Sequence, residues 1–268
     1  MFDTQQVIIK GAGDLATGVA ARLWRCGFPV IMTEIERPLT VRRTVSFSEA
    51  IYEGVTRVED LTARRVEGLS EIHSMLDQGI LPVVIDPAAE IVQKMNPMVL
   101  VDAIIAKKNI GTHIHDAPLT IGLGPGFVAK KDVHAVVETN RGHNLGRVIW
   151  EGAAEPNTGV PGKIGGFGAR RVVRAPAPGV FQGLRHIGDI VQEGDIVAHI
   201  DQTPLPAPIT GVLRGLLHDG VTVHKNMKSG DIDPRGIREH CWTISDKALA
   251  IGGGVLEAIL MTLKQTRS

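Results

Sequence analysis

Four histidines and several charged side chains crowd the stretch from Gly111 to Gly152. His113 and His115 are two apart, so on a strand both imidazoles share one face, with Asp116 next in line. Such a pair suits acid–base chemistry, anion binding or a metal ion, although the spacing supplies no third ligand. Glu138 and His143 lie close enough in sequence to act as acid and base, and Arg141 between them can hold an anion. Arg42 and Arg43, with Arg37 nearby, offer forked donors suited to phosphate or carboxylate; the plainer alternative is a solvated basic turn. Cys241 follows His240, where a neighbouring cation would favour a thiolate; a buried, inert cysteine is the commoner case.

These groups need a scaffold, and its opening is Val7 to Leu23, VIIKGAGDLATGVAARL. Three apolar residues read as a buried strand, Gly11-Ala12-Gly13 as a turn, and Leu15, Val19, Ala20 and Leu23 as one face of a helix. Strand, glycine turn and helix open many nucleotide-binding α/β units, with Ala16 at the third position of the G-x-G-x-x-G/A pattern. Phosphate would meet Gly11, Ala12, Gly13, Asp14, Leu15, Ala16 and Thr17 at the helix start. A second strand ends in Glu34, 21 residues past Gly13 (34 − 13 = 21), where an acid would meet a ribose hydroxyl. Asp14 is out of character there, since its charge repels a pyrophosphate; it could instead cap the helix at Thr17.

Further strands end at Asp86 and Asp102, with helices between, so residues 1–150 are expected to form a Rossmann-like, doubly wound parallel sheet. The glycine-rich loop Gly122 to Gly126 is expected to admit close ligand approach. Residues 151–170, rich in Gly and Pro, read as a connection. Two stretches, Ala175 to Val191 and Ala207 to Val223, repeat at an offset of 32 residues (207 − 175 = 32). Such paired short strands predict a β-rich domain over residues 171–240 that resembles the barrel-sandwich hybrid of biotinyl and lipoyl domains. The linking segment Ile200 to Pro206 contains no carrier lysine, so covalent biotin or lipoate is not expected. Residues 241–268 read as a C-terminal segment that packs back on the first domain. Within it Gly252-Gly253-Gly254 is expected to interrupt an apolar stretch, with a helix from Val255 to Leu263.

The 268 residues carry 29 basic and 29 acidic side chains, a balance that argues against nucleic acid or an anionic membrane as the main partner. Two cysteines build no disulfide framework. With no long apolar run and no signal-like start, a cytoplasmic home is expected.

Taken together, VIIKGAGDLATGVAARL, RPLTVRRTVSFSEAIYEG, VLVDAIIAKKN, GLGPGF, ETNRGHNLGRVIWEG, APAPGVF, GDIDPRG and CWTISDKALAIGGGVLEA resemble the YqeB family. That family comprises accessory proteins for selenium-dependent molybdenum hydroxylases. The opening segment is also similar to that of XdhC-type maturation factors. The resemblance implies a factor that matures such a hydroxylase, with the hydroxylase as partner and a nucleotide or molybdopterin-type anion as ligand. Two alternatives stand beside it. One is an NAD(P)-dependent oxidoreductase, the other a non-catalytic docking or chaperone protein.

Overall fold

A computed structural model describes residue 2, residues 4–157, residues 159 and 162, and residues 165–265. Part of the expected 151–170 connection, namely Thr158, Val160, Pro161, Lys163 and Ile164, lies outside them. The chain divides into two compact units that are interleaved in sequence. Unit 1 comprises Met1–Pro38, Phe47–Thr158 and Ile244–Ser268; unit 2 comprises Leu39–Ser46 and Gly159–Thr243.

Unit 1 is built on one nine-stranded sheet. Its first strands are β1 (Val7–Lys10), β2 (Val30–Glu34), β3 (Val55–Val58), β4 (Leu61–Val66) and β5 (Leu81–Ile85). β6 (Val99–Asp102) and β7 (Leu119–Leu123) follow, then a short β8 (Val128–Ala129) outside this sheet, and β9 (Ala135–Val137) and β10 (Val148–Ile149). β11 (Gly152–Ala153) pairs only with β8. The strand order is β10-β9-β7-β6-β1-β2-β5-β4-β3. The seven inner strands run parallel, while β3 on β4 and β10 on β9 are antiparallel edges.

The helices are α1 (Asp14–Arg25), α2 (Glu49–Glu53), α3 (Leu69–Asp77), α4 (Ile91–Met95) and α5 (Asp246–Gln265). Ile8, Ile31 and Leu100 on the sheet pack with Ile72 and Met75 of α3 and Ile91 and Val92 of α4. Burying one such Ile stabilises by roughly 1.5–3 kcal/mol. α1 packs against β1, β2 and α5, and α5 reaches β7, β9 and β10.

This corrects the expected Rossmann-like doubly wound sheet. The sheet is mixed rather than parallel throughout, and strand–helix alternation stops at β6. No α-helix joins β6 to β7 or β7 to β9; α5, from far along the chain, packs against that half of the sheet. α5 is also continuous through Gly252-Gly253-Gly254, not interrupted there. A helix accepts three glycines because two of them meet backbone. A Cβ on Gly252 would stand 2.8 Å from the Gly18 carbonyl oxygen, and one on Gly254 2.1 Å from that of Gly146.

Unit 2 contains β12 (Val172–Arg174), β13 (Gly179–Gly183), β14 (Ile190–Val191) and β15 (Ile196–Ile200). Its second half contains β16 (Thr203–Pro206), β17 (Gly211–Leu216), β18 (Thr222–Val223) and β19 (Lys228–Asp233). They form two four-stranded sheets, β12-β19-β17-β14 and β16-β15-β13-β18. Under the 32-residue offset each strand of one sheet matches its counterpart in the other, and each sheet takes strands from both repeats. The expected single barrel-sandwich is corrected accordingly. Among the described residues no strand ladder joins the two sheets.

A buried ionic network holds the β17–β19 pair. Asp231 accepts hydrogen bonds from Arg171 and Arg214, and Asp233 from Arg214 and Arg235. Burial alone would raise the Asp233 carboxyl, but the hydrogen bonds and charges of Arg235 and Arg214 outweigh it and lower it to about 2. A depressed folded value means this stabilisation is complete above about pH 4, the unfolded carboxyl's range. It is lost as pH falls through the folded value. Acid unfolding followed by Trp242 fluorescence is therefore expected to show unit 2 losing about 2 kcal/mol between about pH 4 and pH 2. Asp233→Asn should flatten that part of the profile; an unchanged profile refutes the assignment.

Candidate functional site

β1 is where the sheet changes direction. The chain leaves it towards β2 on one side, while β6, β7 and β9 build outward on the other. Open α/β sheets bind ligands in the crevice beyond the carboxyl ends of the strands at such a switch point. Here β1 ends in Lys10, β2 in Glu34 and β6 in Asp102.

Lys10, Asp102 and Thr112 form a buried set, 5%, 2% and 0% exposed. Lys10 Nζ donates to Thr112 Oγ1 at 2.7 Å, and that hydroxyl donates to Asp102 Oδ2 at 2.6 Å. The ammonium and Asp102 are 3.7 Å apart, an ion pair without a direct hydrogen bond. Asp102 Oδ1 accepts the Ile104 N–H. An ammonium has three N–H donors, and Thr112 is the hydrogen-bond partner of one of them. Above this set runs the β6–β7 loop, in which Ile105 and Lys107 hold φ of 59° and 63°. A β-branched residue in the left-handed region is strained, and such strain clusters at functional sites.

On the other side of β1, the Glu34 carboxylate accepts the N–H groups of Ala12 and Ile35. Burial raises its carboxyl above the usual range, against the lowering effect of those two bonds. Glu34 therefore occupies the glycine turn itself rather than waiting for a ribose. The Thr17 hydroxyl is also engaged internally, donating to the Ala12 carbonyl and accepting the Phe47 N–H. Asp14 Oδ1 accepts the Leu15 N–H, while the Thr17 N–H goes to the Gly13 carbonyl. Within the Gly11-Ala12-Gly13 turn and the helix start at Leu15 and Ala16, the place expected for a pyrophosphate, the Ala12 and Leu15 N–H groups are thus already taken by carboxylates. The Gly122–Gly126 loop leaves no ligand clearance at its glycines either. A Cβ on Gly124 would lie 2.3 Å from the Thr139 hydroxyl.

The other residues singled out in the sequence do not converge. His113 caps a 3-10 turn (Ile114–Asp116) that contains His115, so the two do not share one face of a strand, and both are exposed. Asp116 Oδ2 accepts the His113 N–H. Among the described residues no third ligand joins the two histidines, so the expected metal pair is not assembled. Glu138 is 2% exposed and accepts the N–H groups of Asn140 and Glu155, which makes it a loop anchor. His143 is exposed. Arg141 makes a bidentate pair with Asp246 at the start of α5, at 2.8 and 2.9 Å.

Arg42 and Arg43 belong to unit 2 and donate to the carbonyls of His240 and Leu216. Cys241 is fully buried, and burial pushes its thiol up despite nearby arginines, the reverse of an activated thiolate. Lys10 and Thr112 are what the sequence reading missed. The available signal was a lysine closing the apolar run VIIK and an aspartate closing VLVD.

The fold is that of a mixed-sheet α/β protein with a buried charged set at the switch point of its sheet. Over 261 residues the sequence is 51% identical to a protein of Escherichia coli (strain K12) named "Uncharacterized protein YqeB". The match covers 97% of this chain and 48% of that protein, so the chain spans about half the length of the curated relative it matches. This supports the YqeB resemblance and assigns no role. No protein-family model matches the chain.

Among solved structures the chain aligns with a succinylglutamate desuccinylase from a Silicibacter species, at 13% identity and a TM-score of 0.25. That alignment covers 87% of this chain and 85% of the other. An aspartoacylase family protein from Mesorhizobium loti aligns at 13% identity and a TM-score of 0.26, covering 86% and 84%. Scores this low do not amount to a shared fold.

The expected role in molybdenum hydroxylase maturation is corrected, together with the oxidoreductase and docking alternatives. The relative's name carries no such role. At the glycine turn, moreover, Glu34 and Asp14 hold the places that a nucleotide or molybdopterin phosphate would take. Among the described residues no helix is long and apolar enough to cross a membrane.

Proposed function

We propose that unit 1 binds a small anionic organic molecule beyond the carboxyl ends of β1 and β6, and that Lys10 meets its oxygen. The observation that carries this reading is the Lys10 ammonium. It is 5% exposed, and Thr112 takes one of its three donors. Asp102 already balances the charge, but buried donors seek acceptors, and a carboxylate or enolate-type oxygen would take an N–H that Thr112 does not. Asp102 and Thr112 hold the ammonium in place from the β6 side. The strained Ile105 loop supports the same reading, because a loop bent at such cost is positioned for more than connection. Glu34, raised by burial, stands across β1 as a group able to carry a proton.

The test is equilibrium dialysis of the full chain against a bacterial small-molecule extract, with mass spectrometry of what is retained. The native protein is expected to retain organic acids that a Lys10→Gln/Asp102→Asn double variant, folded by circular dichroism, does not. Equal retention by both proteins, or no retained acid, overturns the proposal.

A further inference from the structure

A concavity lies at the amino-terminal edge of the same sheet, at the end opposite the Lys10 set. Its volume is about 480 Å³, within the range of about 300–1,000 Å³ typical of small-molecule sites. Pro97, Ile114 and Pro118 supply apolar wall, and His115, Asp116 and His134 supply polar groups. Pro97 and Pro118 lie just before β6 and β7, and His134 just before β9, so three neighbouring strands hold the walls in register.

His134 has one chemical role open to it. Its ring Nδ1 accepts the Thr120 N–H at 3.0 Å, while the His134 backbone N–H donates to the Thr120 carbonyl. An imidazole that accepts at Nδ1 carries its hydrogen on Nε2 when neutral. Nε2 then has no lone pair, so it is neither a metal ligand nor a base; it is a hydrogen-bond donor. Protonating Nδ1 would break the Thr120 bond. In keeping with that, burial, and secondarily the charge of His115, lower the pKa of His134. Among the other polar groups of the pocket, Asp116 already accepts the His113 N–H, and Asn96 adds a side-chain amide.

We propose that this pocket is a binding site for a small organic carboxylate, received by the Nε2–H of His134 with its apolar body against Pro97, Ile114 and Pro118. His115 is the second donor. Because His134 can only donate, the group it receives is an acceptor such as a carboxylate, and an amine drawn instead to Asp116 is the competing outcome that the test separates.

The test is ring 15N NMR of the labelled full chain, titrated with 3-phenylpropionate and, in parallel, with phenethylamine. The free protein is expected to show His134 as the Nε2–H tautomer. Phenylpropionate should shift the His134 and His115 ring signals along one saturable curve, and phenethylamine should leave them in place. His134→Phe keeps a ring without the donor and is expected to bind phenylpropionate about tenfold more weakly, by intrinsic fluorescence or calorimetry. His115→Gln, which leaves the Thr120 contact alone, should weaken binding less. An Nδ1–H tautomer, a response to phenethylamine without one to phenylpropionate, or rings unmoved by phenylpropionate would overturn the proposal.

Discussion

Gly254→Ala is expected to destabilise unit 1 by about 3 kcal/mol, the upper part of the usual range for overpacking. A Cβ there would stand 2.1 Å from the Gly146 carbonyl oxygen and 2.9 Å from Val137. The nearest obstacle is backbone, so no rotamer change relieves it, and α5 must lift away from β9. The helix propensity gained from alanine, about 1 kcal/mol, is smaller and does not rescue it. The neighbouring position makes the control. A Cβ on Gly253 would meet nothing within 4 Å, so Gly253→Ala should stabilise by about 0.5–1 kcal/mol. The contrast is read by hydrogen exchange at the amides of α1 and α5. If both variants move stability in the same direction, the packing described for this face is wrong.

Lys10→Met is the second large effect. It leaves the Asp102 carboxylate, 2% exposed, with Thr112 and one backbone N–H but no counter-charge. Removing one partner of a buried ion pair costs about 3–5 kcal/mol, mostly through the stranded charge. Pairing Lys10→Met with Asp102→Asn removes that charge too, and the double variant should recover more than half of the loss. Urea unfolding of the wild type, both single variants and the double variant completes the cycle. Additive effects would mean that the two groups act separately and would remove the basis for placing a ligand oxygen at Lys10.

Local pattern made several elements legible. VIIK, VIMTE and VLVD are strands because unbroken apolar runs suit strands buried on both faces. The repeat in the second half could be seen as sequence and reappears as two sheets of matching order. What pattern could not give was partnership across distance. Glycine types read alike whether they face a phosphate or another backbone, and here Gly252 and Gly254 face backbone. Likewise Glu34 has the right spacing for a ribose, yet it turns inward to Ala12. His113 and His115 lost their shared face because the chain leaves the extended conformation after His113 and places His115 inside a 3-10 turn. Lys10 was overlooked because a lysine ending a strand is ordinarily exposed, and only the order of the sheet sets it beside Asp102.

The interleaving of the two units bears on how the chain is made. α5 packs on a helix that leaves the ribosome more than two hundred residues earlier. During synthesis the nine-stranded sheet of unit 1 is complete while the face over β7, β9 and α1 still lacks its cover. The whole of unit 2 must be translated before that cover arrives. An apolar sheet face held open for that interval is a target for holding chaperones and for association between nascent chains. A segment translated after unit 2 thus completes the unit begun before it.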